Sequence, residues 1–334
     1  MKILVTGATD YIGAAAAQAL RRAGHEVLGL ARSDAAAGRL ARDGFGVARG
    51  DFSKPGDLAQ AALDVDAIVS TASLGSLAGD ADTFAQDREA VLALLGALEG
   101  TGKTLVFTSG SAVFGVFSGG ERDDRIFDED TVLPLAPEVF APADAQVPPV
   151  LVAGFGAAMA ARVETEMAVA GASGVRGIVM RPGLVYGAGG SYDIPALVAM
   201  ARGLGAGPHL GPGAARQSYV HLDDLADLYV RAIAAAPAGA ALHGVVDEIS
   251  LRDLASAVGA LIGAAPATKS LTLEQMYQEG GSAGVSLSLN KRLSSAKTRA
   301  LLNWAPRRTD ILLDVALGSY AQHPARVAAA LEGV

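Results

Sequence analysis

Residues 2–13 read Lys2-Ile3-Leu4-Val5-Thr6-Gly7-Ala8-Thr9-Asp10-Tyr11-Ile12-Gly13, and an alanine-rich stretch, Ala14 to Arg22, follows at once. A β-branched run that ends in a glycine turn and passes straight into a helix is the order a dinucleotide site needs. The first glycine turns the chain tightly and the last lets helix approach strand. The free N–H groups and dipole of the helix start then face a pyrophosphate. The spacing is G-x-x-x-x-x-G, from Gly7 to Gly13, with Asp10 between. Asp10 has two readings that can hold together: an ordinary helix N-cap, since Asp is among the best, or a negative charge beside the expected phosphate.

Outward from this stretch, strands and helices alternate. Glu26 to Ala31 reads as a second strand and runs into Arg32-Ser33. A carboxylate at this place holds a ribose 2′-hydroxyl, whereas an arginine accommodates a 2′-phosphate. Arg32, with no carboxylate before Asp34, favours NADP; the plainer reading is a solvated arginine at a strand end. Gly44 to Arg49 reads as a third strand, followed by the turn Gly50-Asp51-Phe52. Asp66 to Thr71 and Thr104 to Ser109 read as the fourth and fifth. Between them Phe84, Val91, Leu92, Leu95 and Leu98 form a helical stripe within 81–98. This alternation predicts an α/β fold, a Rossmann-type doubly wound parallel sheet covered on both faces.

The second half loses the regular alternation. Residues 116–150 carry Gly119-Gly120, acidic residues at Asp123-Asp124 and Asp128-Glu129-Asp130, and a run of prolines ending at Pro149, which predicts a long irregular insertion. Leu151 to Ala170 reads as a long helix and Val175 to Met180 as a sixth strand, leading to Arg181-Pro182-Gly183-Leu184-Val185-Tyr186-Gly187. The division expected is a nucleotide-binding domain over 1–185 and a smaller, mostly helical substrate part over 186–334, interleaved with the first.

Composition limits the function classes. At 334 residues, 51% hydrophobic and 19% charged, the chain builds a full core. The absence of cysteine excludes disulfides and thiolate chemistry. A net charge of −8 with no basic tract argues against nucleic acid. No signal peptide precedes the first strand and no long apolar run reads as a membrane span, so a cytoplasmic protein is expected. Five scattered histidines show no metal spacing. The stripe at 81–98 and the Ala/Gly-rich helix at 151–170 are expected to pair across a homodimer.

The stretch TGATDYIG resembles the TGATGFIG opening of the extended short-chain dehydrogenase/reductase family, the NAD(P)-dependent epimerase/dehydratase-like proteins. RPGLVYG, Tyr219 to Ala226 (YVHLDDLA) and Leu301 to Pro306 (LLNWAP) are similar to its later segments, in the same order. The resemblance implies a bound nicotinamide dinucleotide held by Gly7, Thr9, Asp10, Tyr11, Ile12, Gly13, Arg32, Asp51, Phe52, Thr71, Ala72 and Ser109. Asp10 stands where the family usually has glycine. The family's Tyr-x-x-x-Lys proton-transfer dyad is missing: Phe155 and Met159 occupy the matching spacing. No tyrosine lies between Tyr11 and Tyr186, and no lysine between Lys103 and Lys269.

Three residues remain as catalytic candidates. Tyr186, in RPGLVYG, is the surviving acid, with Arg181 five positions earlier able to lower its pKa. Ser111 flanks Gly110, which takes the place of the usual catalytic hydroxyl; it is either a substrate contact or a turn residue. Arg162, four residues before Glu166, is either a surface helix pair or a fork of donors for a planar oxyanion. Asp223 is expected to cap the helix from Leu225 to Ala235, and His221 to anchor a strand to it. Two functions follow: an NADP-dependent oxidoreductase acting on a small, largely apolar carbonyl or enone, or a non-redox protein on the same scaffold, an NADP sensor, lyase or isomerase.

Overall fold

The computed structural model describes residues 1–74, 81–133 and 149–322. At its centre β1 (Lys2–Thr6) alternates its side chains across a sheet, Ile3 and Val5 to one face and Leu4 to the other, all three fully buried. β2 (Glu26–Ala31) and β3 (Gly46–Arg49) lie on one side of it. β4 (Ala67–Ser70), β5 (Thr104–Thr108) and β6 (Arg176–Pro182) lie on the other. Every pairing is parallel, so each connection must cross a face, and the crossing helices bury both. α1 (Tyr11–Arg22) and α2 (Asp34–Arg42) cover one face; α3 (Pro55–Ala62), α4 (Ala81–Leu98) and α5 (Pro149–Ala170) cover the other. Each fully buried leucine or isoleucine in these layers contributes about 1.5–3 kcal/mol.

The doubly wound parallel sheet is therefore the one expected, and β2 and α4 have the expected limits. The strand order reverses between β1 and β4, which leaves a crevice at their carboxyl ends, the usual ligand position in such sheets.

The remaining chain is less helical than expected. β7 (Leu184–Tyr186), β8 (Gly207–Leu210) and β9 (Arg216–His221) precede β10 (Ala240–Gly244), a seventh strand that joins the main sheet beside β6. β11 (Asp247–Ser250) completes a three-stranded sheet with β9 and β7, and β12 (Thr268–Leu271) pairs with β8. α6 (Asp193–Leu204), α8 (Leu251–Leu261) and α9 (Leu273–Ser286) pack on these small sheets, while α7 (Leu222–Ala235) returns to the main sheet beside α1. Three short helices, α10 (Ala296–Leu302), α11 (Ile311–Leu317) and α12 (Ser319–Gln322), close the described chain. These strands escape periodicity because each is only three to six residues long.

Residues 116–133 of the expected insertion are irregular but stitched in place. Val116 bridges Asn290, and Phe127 bridges Leu293 and stacks on Phe114 at 5.0 Å. The stretch 134–148 lies outside the described residues.

Candidate functional site

Gly7 takes φ +73°, and a Cβ there would stand 2.8 Å from Thr71 Oγ1 and 3.0 Å from Ala72 N. A Cβ on Gly13 would stand 2.1 Å from Gly7 O, so the first turn of α1 presses on the β1 turn and admits no side chain. The helix start thus opens onto a crevice of about 280 Å³. Of the residues expected around a nucleotide, Gly7, Thr9, Asp10, Arg32, Asp51, Phe52 and Ala72 line it. Tyr11, Ile12, Gly13, Thr71 and Ser109 do not. Thr71 ties β4 to β1 through Oγ1 to Thr6 O at 2.6 Å, and Tyr11 donates its hydroxyl to Gly187 O at 2.8 Å.

Asp10 occupies the N-cap position with extended φ and ψ, yet its carboxylate bonds no helix N–H. Among the described residues it accepts only from Thr9 Oγ1, at 3.4 Å. The capping half of the expectation fails, because the carboxylate turns into the crevice rather than back over the helix. Burial holds its pKa above the ordinary value, against the opposing pull of Thr9, Arg39 and Arg32.

The far end of the crevice is basic. Arg32 follows β2, and Arg39 comes up from α2; both are exposed, and neither has an ion-pair partner among the described residues. Asp34, the nearest carboxylate in sequence, is taken by Arg49 at 2.6 Å. Ser33 caps α2, accepting from Ala36 N at 3.2 Å. Asp51 is held by Ser53, whose N and Oγ donate at 3.0 and 2.9 Å and keep its pKa low. Sequence reasoning missed Arg39, since a helical arginine eight residues past a strand end carries no local signal.

Where the dyad would stand, α5 is apolar. Phe155 packs edge-on to Phe117 at 5.6 Å, and Met159 is fully buried. Arg162 and Glu166 share a helix face but do not pair. Glu166 is buried against Arg181, and Arg162 lies over the Phe84 ring at 5.0 Å with Nη1 donating to Thr108 O at 3.4 Å. Burial lowers the Arg162 pKa, against the raising effect of Asp87 and Glu166. The surface-pair reading is thereby corrected: Arg181 of β6, not Arg162, holds the buried carboxylate. Ser111 opens a buried helical turn, Ser111–Phe114, and the Ser109 hydroxyl is buried without a hydrogen-bond partner among the described residues.

Tyr186 is also relocated. Its ring is buried edge-on to His221 at 5.0 Å and Tyr219 at 5.7 Å, and its hydroxyl donates to Arg308 O at 3.0 Å. Burial, reinforced by Tyr219 and Asp314, drives its pKa up, opposite to an activated acid. Arg181 cannot tune it, being engaged by Glu166. His221 does anchor strand to helix, as expected, but it is also the cap of α7: Nδ1 accepts from Asp223 N at 3.0 Å. Asp223 lies in the first turn, 2.9 Å from Arg308, which corrects its expected role as cap.

One cluster had no sequence signal. Asp87 of α4 is buried, accepts from Leu74 N at 2.7 Å and from the Ser73 hydroxyl, and has Arg162 as its charged neighbour. Ser73 and Leu74 line the crevice.

The model of the NAD dependent epimerase/dehydratase family matches residues 3–243. An uncharacterised protein of Schizosaccharomyces pombe is 27% identical over 322 residues, 96% of this chain and all of the relative. The 2-alkyl-3-oxoalkanoate reductase of Stenotrophomonas maltophilia is 27% identical over 294 residues, 84% of this chain and 81% of that protein. Among solved structures, dTDP-glucose 4,6-dehydratase of Streptomyces venezuelae with NAD bound superposes with a TM-score of 0.72. It is 21% identical, with 98% of each chain covered. UDP-glucuronic acid 4-epimerase of Bacillus cereus gives 0.69 at 18% identity, with 97% of this chain and 100% of that one covered.

Proposed function

Because the chain belongs to the NAD dependent epimerase/dehydratase family, we propose that it is an NADP-dependent oxidoreductase reducing the carbonyl of a small, largely apolar substrate. The observation that carries the cofactor choice is the pair Arg32 and Arg39 on one crevice, with Asp34 already paired to Arg49. Two guanidinium groups suit a 2′-phosphate, and no free carboxylate at the β2 end offers itself to a 2′-hydroxyl. The cradle at Gly7 and Gly13 fits a pyrophosphate; Asp10 is the one residue that fits it badly. When bound, the nicotinamide supplies the hydride.

The substrate is taken to lie beyond the crevice, between the apolar start of α5 and the part built from residues 186–221 and 247–322. Phe117, Phe155, Met159 and Leu184 belong to one buried cluster on that side, so an apolar substrate is the one this surrounding would tolerate. The Stenotrophomonas relative makes a 3-oxo ester the first probe. Fluorescence titration with NADPH and NADH, then NADPH consumption with ethyl 2-methyl-3-oxobutanoate, tests the reading. Equal affinity for the two nucleotides sinks the cofactor choice.

The apolar Phe155 and Met159 favour a second reading, a nucleotide-binding protein that performs no redox step. NADPH that binds tightly but is never consumed, across carbonyl and enone probes, selects it. A homodimer through α4 and α5 is also proposed, two-fold dimers being the commonest closed assemblies. A monomer mass by light scattering at micromolar concentration refutes it.

A further inference from the structure

Phe155, Met159 and Arg162 stand at i, i+4 and i+7 of α5 and so share one face of the helix. The first two are buried and apolar; the third is a half-buried cation. Arg162 lies over Phe84 and reaches the carboxyl end of β5, where Nη1 meets Thr108 O at 3.4 Å. Its Nε is buried and bonds nothing among the described residues. Two carboxylates, Asp87 and Glu166, stand near enough for their charges to reach it. Both are engaged elsewhere, Glu166 by Arg181 and Asp87 by Leu74 N and the Ser73 hydroxyl. Among the described residues, then, this guanidinium has no ion-pair partner of its own.

One residue on from Thr108, the Ser109 hydroxyl is also unbonded, with Ser109 only 8% exposed. A Cβ on the next residue, Gly110, would meet nothing within 4 Å among the described residues, so open space adjoins the pair. Neither Ser109 nor Arg162 lines the crevice given to the nucleotide. Buried donors are as a rule bonded, and a guanidinium fork matches a planar carboxylate with two parallel bonds.

We propose that Ser109 and Arg162 receive a carboxylate, so that the substrate is an oxo acid rather than a neutral carbonyl compound. Arg162 pairs with the anion, Ser109 donates a further hydrogen bond, and Phe155 and Met159 stand along the apolar chain. The inference rests on the oxidoreductase reading above and names the substrate class of that same site. It is read on binding, so that it fails separately from the redox step.

The test is calorimetric binding at neutral pH and saturating NADP+. The ligands are 3-hydroxyhexanoate, ionised there, and 3-hydroxyhexanamide, which keeps the shape without the charge. NADPH consumption with 3-oxohexanoate runs alongside. Wild type should bind the acid about tenfold or more tighter than the amide. Arg162→Gln should lose that preference while binding the amide and NADP+ as wild type does. Ser109→Ala removes a hydroxyl that bonds nothing among the described residues, so thermal stability should hold while the acid binds about tenfold more weakly. This variant decides the matter if Arg162→Gln does not fold. Equal affinity for acid and amide in the wild type, or binding of neither, overturns the receptor, as does a preference that survives both substitutions. Loss of NADP+ affinity in both variants overturns it too, since the pair then belongs to the nucleotide. An acid preference without NADPH consumption overturns the oxidoreductase reading and leaves the receptor; consumption without a preference does the reverse.

Discussion

Arg181 grips a single oxygen of Glu166 twice, from Nε at 2.9 Å and Nη2 at 2.6 Å, with both side chains buried. The pair joins β6 to α5 beneath the apolar position of the missing dyad, so it locks the helix that carries Arg162. Glu166→Ala leaves the guanidinium buried with its charge unmatched. The expected loss is about 3–5 kcal/mol, as for other buried pairs broken on one side. Urea denaturation measures it; a loss under about 1 kcal/mol, the range of exposed pairs, would show that the pair is not what fixes α5.

The same network makes His243 a source of acid sensitivity. Its Nδ1 faces Ser294 O at 2.8 Å, so it carries the proton there, and Nε2 accepts from Arg181 Nη1 at 3.4 Å. Burial first, then the Arg181 cation, brings its pKa down to about 4, although Glu129 and Asp128 pull upward. The unfolded chain therefore binds a proton that the folded one refuses. Stability falls as pH drops from about 6.5 toward 4 and this group costs nothing further below that. In His243→Gln this part of the slope should vanish, read as the difference between two urea series across that window. Parallel slopes would refute the assignment.

Arg32→Ala and Arg39→Ala should each weaken NADPH more than NADH. A charge-assisted pair to phosphate contributes about 1.5–3 kcal/mol, so each substitution should remove roughly tenfold or more of the preference. The Arg39 arm is the sharper one, since it depends on α2 delivering a second cation to the crevice. An Arg39→Ala protein with unchanged discrimination, by fluorescence titration, would return Arg39 to the solvated surface.

Asp10→Gly should tighten nucleotide binding. The side chain bonds no helix N–H, so little cap energy is lost, and the substitution removes a negative charge facing the expected pyrophosphate. In the wild type the charge also links affinity to pH. A bound phosphate raises the Asp10 pKa further, and engagement of Arg32 and Arg39 removes their lowering effect, so binding takes up a proton and affinity falls as pH rises through this titration. Asp10→Asn should flatten that component, read as its difference from wild type by calorimetry. Weaker binding by Asp10→Gly would mean that the carboxylate swings clear of the ligand.

The main sheet was legible because parallel strands buried on both faces leave unbroken apolar runs, such as Ile3 to Val5 and Ala67 to Val69. The glycine turn was legible because Gly7 and Gly13 have no steric substitute. Loop and strand-end chemistry was not. Tyr186 sits at a strand end in a recognisable segment, but its burial depends on residues 308 and 320, more than a hundred positions away. Asp87 looks like one more polar residue on a helix stripe until β4 delivers Ser73 to it. Arg181, read as a neighbour of Tyr186, points instead at α5, since the two residues belong to strands of different sheets. In each case the partner is set by tertiary packing rather than by local spacing.

β10 gives the molecule a synthesis problem. The strand that covers the free edge of β6 is residues Ala240–Gly244, and α7, which shields the adjoining face, begins only at Leu222. A chain emerging from the ribosome therefore holds six strands of the sheet with β6 still unpaired along one side until residue 244 clears the tunnel. Bare edges of this kind invite pairing with other chains, and contacts so far apart in sequence form slowly. Cutting the gene at the sequence-based boundary of residue 185 is therefore expected to leave β6 with an adhesive rim.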